Sequence, residues 1–127
     1  MNVSRFFDKH ELACKCGCGE AKMEPLFLKK LDELRDNYGK PIILNSAYRC
    51  PDHNRAVSSS KSVNGPHTTG KAVDIRTSRK EAYTVLSLAF LAGFTGIGVA
   101  QKGSGRFIHL DMLGSLEGAV RPTIWSY

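Results

Sequence analysis

The sequence predicts an α+β fold, a small antiparallel sheet packed against helices in a single domain spanning residues 1–127. Three observations predict it. Two stretches, Pro25 to Tyr38 and Arg79 to Ala92, read as helices. Four short apolar or alternating segments read as strands. The last two of these are joined by the turn Gln101-Lys-Gly-Ser-Gly105. A chain of 127 residues buries one core and is too short for a large multidomain enzyme. With 42% hydrophobic and 24% charged residues, wholesale disorder is excluded.

Each element has its own warrant. Residues 2 to 23 read as irregular, with turn chemistry at Gly17 and Gly19. In the first helix Pro25 fits the opening turn, Leu28, Leu31 and Leu34 recur at helical spacing, and Gly39 fits just past the end. Pro41 to Asn45 reads as a short buried strand. Residues 51 to 70, rich in Pro, Ser, Asn, Gly and Thr, read as a long loop with one helical turn near Asp52 to Ala56. Lys71 to Arg76 alternates as a strand. Ser78 with Glu81 forms a capping box for the second helix, and Gly93 stops it. Phe94 to Ala100 and Phe107 to Met112 are the remaining strands. The tail after Gly114 carries no signal.

Charge narrows the partners. Lys+Arg 18 against Asp+Glu 12 gives +6, which suits a polyanion: nucleic acid, anionic lipid, or a phosphate- and carboxylate-bearing cell wall. The basic residues are scattered, with Lys29-Lys30 and Arg79-Lys80 the densest pairs. Few aromatics interleave with them, so no nucleic-acid partner is expected. No apolar run reaches the ~18 residues of a membrane helix, so no stable membrane insertion is expected. No apolar stretch follows Arg5, so no signal peptide is read and synthesis in the cytoplasm is expected. A monomer is expected.

Cys14, Cys16 and Cys18 cluster in Cys-Lys-Cys-Gly-Cys-Gly, and Cys50 stands alone. They could build a structural zinc site, form disulfides (a single bridge from the cluster to Cys50 among them), or remain as thiols. The Cys-x-Cys-x-Cys spacing is not the usual Cys-x2-Cys knuckle.

The four histidines are more informative. His67 lies in the turn-rich loop, and Asp74 follows inside the strand Ala72-Val-Asp-Ile75. His109 and Asp111 flank Leu110 and share one strand face, while Ile108, Leu110 and Met112 face a core. An aspartate inside an apolar strand is costly unless something neutralises it. If the two strands lie side by side, Asp74 and His109 meet and His67 arrives from the loop. Two imidazoles and a carboxylate are a known zinc set, with a fourth position left for water.

The same residues resemble a family. His67-Thr-Thr-Gly70-Lys-Ala72-Val-Asp74 fits the H-x-x-G-x-A-x-D signature of the zinc D-Ala-D-Ala carboxypeptidases and related M15 peptidoglycan peptidases. Asn45-Ser46-Ala-Tyr48-Arg49 looks like their S-x-Y-R segment, and Phe107-Ile-His109-Leu-Asp111 like their H-x-D segment. The blocks span Pro41 to Met112 in the family's order. The resemblance implies a hedgehog/D-Ala-D-Ala-peptidase-like fold, with zinc held by His67, Asp74 and His109. It implies that Arg49 holds the scissile carbonyl and stabilises its oxyanion. It implies cleavage of peptidoglycan stem peptides as substrate, by carboxypeptidase or endopeptidase action. The Cys-rich start resembles small phage and prophage versions, which implies an endolysin-like protein acting on the wall after holin-type release.

Two departures stand out. Gly65 replaces the Ser found two residues before the first His in many members, and Arg106 and Phe107 stand where many carry a Glu or His base. The catalytic base then falls to Asp111, which could equally be a carboxylate that orients His109. His53 reads as a loop residue with a minor claim to substrate contact. Hedgehog domains resemble this fold yet act chiefly by binding, so a non-catalytic, zinc-stabilised wall-binding module is the alternative.

Overall fold

A computed structural model describes residues 4–57 and 65–127. Four helices, α1 (Lys9–Leu12), α2 (Pro25–Tyr38), α3 (Pro51–Val57) and α4 (Arg79–Ala92), accompany five strands: β1 (Ile43–Ser46), β2 (Ala72–Arg76), β3 (Gly96–Ala100), β4 (Phe107–Asp111) and β5 (Thr123–Ser126). The strand order is β1-β2-β4-β3-β5. All neighbours are antiparallel except the parallel pair β3 and β5. The α+β class with a mostly antiparallel sheet is therefore as the sequence predicts.

The core lies on one face of the sheet. Val73 and Ile75 of β2, Ile97 of β3, and Ile108 and Leu110 of β4 are buried there. Leu28, Leu31 and Leu34 of α2, with Val85 and Ala89 of α4, cover them in one cluster. Phe27 meets Phe94 edge to face at 5.8 Å. Alternation along each strand sends the polar residues to the opposite face. The helix stops are as read: Gly39 and Gly93 take left-handed φ of 74° and 85°.

Several local expectations are corrected. The segment read as irregular contains α1, capped by the Asp8–Glu11 box. Asp32 of α2 captures the chain ahead of it, accepting from Ser4 Oγ at 2.7 Å and from the Arg5 amide at 2.8 Å. Ser78 makes no side-chain cap, because Arg79 enters α4 at a left-handed φ of 52° and Glu81 is drawn to Lys40 Nζ at 3.4 Å. The loop over residues 51–70 holds α3 and a 3-10 turn, Pro66–Thr69, and its central part falls outside the described residues. The tail forms β5, whose alternation was overlooked among its turn residues.

Candidate metal centre

The register of β2 on β4 sets Asp74 opposite His109. His67 reaches the same point from the 3-10 turn, held by two backbone ties. Its Nδ1–H donates to the Ala47 carbonyl at 2.8 Å, and its own carbonyl accepts from the Arg49 amide at 3.0 Å. That commits Nδ1 and leaves Nε2, which faces Asp74 Oδ1 at 3.3 Å, as the ring atom that can turn to a metal ion. His109 Nδ1 faces the same oxygen at 3.0 Å. The three donor atoms lie within 4.8 Å of one another, and all three residues can contribute one ligand atom to a metal ion. The rings of His67 and His109 meet edge to face at 5.2 Å.

Arg49 lies at the rim of this group. Its Nη2 is 3.7 Å from Asp74 Oδ2 and its side chain is only 15% exposed, so it is no surface salt bridge. Nε–H donates to Ser46 Oγ at 3.3 Å and Nη1–H to Asn54 Oδ1 at 3.0 Å, which fixes the guanidinium on two elements. Asn54 approaches closely because residue 65 is glycine; a Cβ there would stand 2.7 Å from its amide nitrogen. His53, also on α3, does not join the donor group.

Asp111 sits on the other side of the His109 ring. It is fully buried, and its Oδ2 accepts from His109 Nε2–H at 2.7 Å. Arg121 donates to both its oxygens, from Nε at 3.0 Å and from Nη2 at 2.8 Å, and the Leu113 amide adds a bond at 3.2 Å. The neutraliser that a buried aspartate demands is therefore Arg121, from the segment read as silent. Trp125 on β5 completes the face, with its ring 5.1 Å from His109 and the Arg121 guanidinium over it at 5.1 Å. Glycines on β3 make the room. A Cβ at Gly96 would overlap the Asp111 carboxylate, and one at Gly98 would stand 2.6 Å from Trp125 Nε1.

Electrostatics follow from this packing. Burial opposes ionisation of Asp74, but hydrogen bonds with His109 and His67 outweigh it and hold the carboxyl far below the usual range. Asp111 is drawn down to about 2, burial again being outweighed by its bonds to His109 and Arg121. His109 moves the opposite way. Burial favours its neutral form, yet its bonds to Asp111 and Asp74 raise its pKa. Arg121 neutralises Asp111 and Arg49 stands 3.7 Å from Asp74 Oδ2, so the other oxygen of Asp74, which faces both imidazoles, is the place that a proton on His109 or a metal ion can serve. Two imidazoles and a carboxylate, each turning one ligand atom toward the others, fit a zinc-type ion.

Sequence reasoning brought together His67, Asp74, His109 and Arg49, and the structure assembles all four. It missed Arg121 and Trp125. The signal for Trp125 was the alternation Thr123-Ile-Trp125-Ser; nothing in the sequence marked Arg121 beyond the need of Asp111 for a partner. Comparison with curated proteins and with solved structures gave no match. A family model described as Peptidase M15 matches residues 5–111, a span that contains the whole His67–Asp74–His109 group and Arg49, and the chain therefore belongs to the M15 peptidase family of metallopeptidases.

Proposed function

We propose that the protein is a zinc peptidase that hydrolyses peptide bonds in peptidoglycan stem peptides. The observation that carries the reading is the convergence of two buried imidazoles and one carboxylate beside a fixed arginine, in a chain of the M15 family. His67 through Nε2, Asp74 through Oδ1 and His109 through Nδ1 would hold the metal. Zinc there would supply Lewis acidity toward a peptide carbonyl and lower the pKa of water toward ~7. Arg49, braced by Ser46 and Asn54, directs its positive charge to the rim where an oxyanion would develop. Asp111 receives the orienting role of the two left open by the sequence. All its acceptor capacity is spent on His109, Arg121 and Leu113, and it faces Nε2 rather than the donor group. It fixes the His109 tautomer and leaves Nδ1 as the ligand atom.

The net charge of +6 supports a wall substrate rich in carboxylate and phosphate. We place the action at the cell wall, reached from the cytoplasm by holin-type release as in an endolysin, by a monomer. Digestion of purified peptidoglycan, read by mass spectrometry with and without chelator and beside His67→Ala, tests this. Metal-dependent release of stem fragments is expected, and the fragment masses name the bond. The locked Asp111 favours one second reading, a non-catalytic wall-binding module. Metal-dependent binding to the wall with no fragment would establish it instead.

A further inference from the structure

Four thiols from two distant parts of the chain meet away from the His67–Asp74–His109 group. Cys14 Sγ lies 3.4 Å from Cys16 Sγ and 3.7 Å from Cys50 Sγ, and Cys16 Sγ lies 3.6 Å from Cys50 Sγ. Cys18 Sγ joins them, all four within 4.8 Å of one another. None is in a disulfide. A zinc ion with Zn–S bonds of about 2.3 Å at the centre of a regular tetrahedron sets its sulfurs about 3.8 Å apart. The observed spacings are close to that edge.

The backbone explains how an unusual spacing closes. In an extended chain the side chains of residues 14, 16 and 18 would share a face but diverge along it. Gly17 and Gly19 take left-handed φ of 89° and 79°, which curls the segment, and the Cys14 amide closes it on the Glu20 carbonyl at 2.7 Å. The Cys50 amide donates to Cys14 Sγ at 3.4 Å, which joins the two segments at the cluster.

We propose that Cys14, Cys16, Cys18 and Cys50 form a second, structural metal site, a tetrathiolate that takes zinc. Soft thiolates in a tetrahedron select such an ion. Binding is ligand exchange: the thiols give their protons to solvent and the cation takes their place. Four protein ligands leave no open position, so the site performs no hydrolysis. Its product is a cross-brace. It ties the N-terminal segment to the start of α3 across 36 residues, next to Arg49, whose amide holds the His67 carbonyl.

The full-length protein, purified under reducing conditions and stripped of metal, is titrated with Co²⁺ and separately with Zn²⁺. A tetrathiolate gives intense thiolate-to-cobalt charge-transfer absorption in the near ultraviolet, which imidazole and carboxylate ligands do not give. That absorption is expected in the wild type and in His67→Ala/His109→Ala, and is expected to vanish in Cys16→Ser/Cys18→Ser. Zinc is also expected to protect the thiols of the wild type from a thiol reagent, although Cys16 and Cys18 are exposed. Absence of the charge-transfer band in the wild type, full thiol reactivity with zinc present, or a mass lower by the hydrogens of a disulfide would each overturn the site. The wild-type spectrum and thiol protection decide the matter even if the double serine variant does not fold. Both readouts depend on sulfur alone, so they are separate from any failure of the peptidase reading.

Discussion

The two donor clusters of this protein are built in opposite ways. His67, Asp74 and His109 are held by paired strands and backbone hydrogen bonds, so their geometry exists before any ligand arrives. Cys14, Cys16, Cys18 and Cys50 sit on a curled loop and at a helix start, with few bonds of their own between the two segments. The first arrangement is a site that the fold makes. The second is a site that helps make the fold. Rigid placement suits a group that must position a reacting carbonyl, whereas a loop cluster gains most from a cation that closes it.

Substitutions can break this contrast. The largest expected effect is His67→Ala, which removes a ligand from the preformed group; metal-dependent peptide release is expected to fall below detection while the fold, read by circular dichroism, persists. Arg49→Ala comes next. Loss of one fixed oxyanion partner is expected to lower kcat by roughly 10²- to 10³-fold with the metal content unchanged. Asp111→Asn is smaller in activity and larger in stability. Loss of an orienting carboxylate is expected to weaken metal affinity by roughly 10- to 100-fold, measured by competition with a chelator. An aspartate drawn from 3.8 to about 2 also contributes about 2 kcal/mol at neutral pH. Since its folded-state pKa is depressed, that stability is present above the unfolded value and is lost as pH falls through about 2. Acid denaturation curves of wild type and Asp111→Asn are expected to converge below that point. Gly96→Ala sharpens the comparison further: its Cβ overlaps the Asp111 carboxylate, so it is expected to reproduce part of the affinity loss with every polar group intact.

How much of this was legible depended on whether a residue's partner lay in a periodic segment. Alternation in Ala72–Arg76 and Phe107–Asp111 set Asp74 and His109 on one face, and strand pairing did the rest. His67 and Arg49 were legible through motif order. Arg121 was not, because it lies in an irregular connection and its role is fixed only by where β5 returns beside β3. The capping reading at Ser78 failed for a related reason: local spacing could not foresee Lys40 arriving from another part of the chain to take Glu81. The sequence left two roles open to Asp111, because strand alternation could not say which ring nitrogen of His109 it would meet; it meets Nε2, while Asp74 meets Nδ1.

Trp125 is the sole tryptophan, and its indole lies 5.1 Å from His109. The protein therefore carries an optical probe at its candidate metal centre. A protonated imidazole quenches indole emission more strongly than a neutral one, so the intrinsic fluorescence of metal-free protein is expected to rise as pH climbs through the elevated pKa of His109. A metal ion bound at Nδ1 would displace the same proton, and its arrival would be readable as light with no label attached.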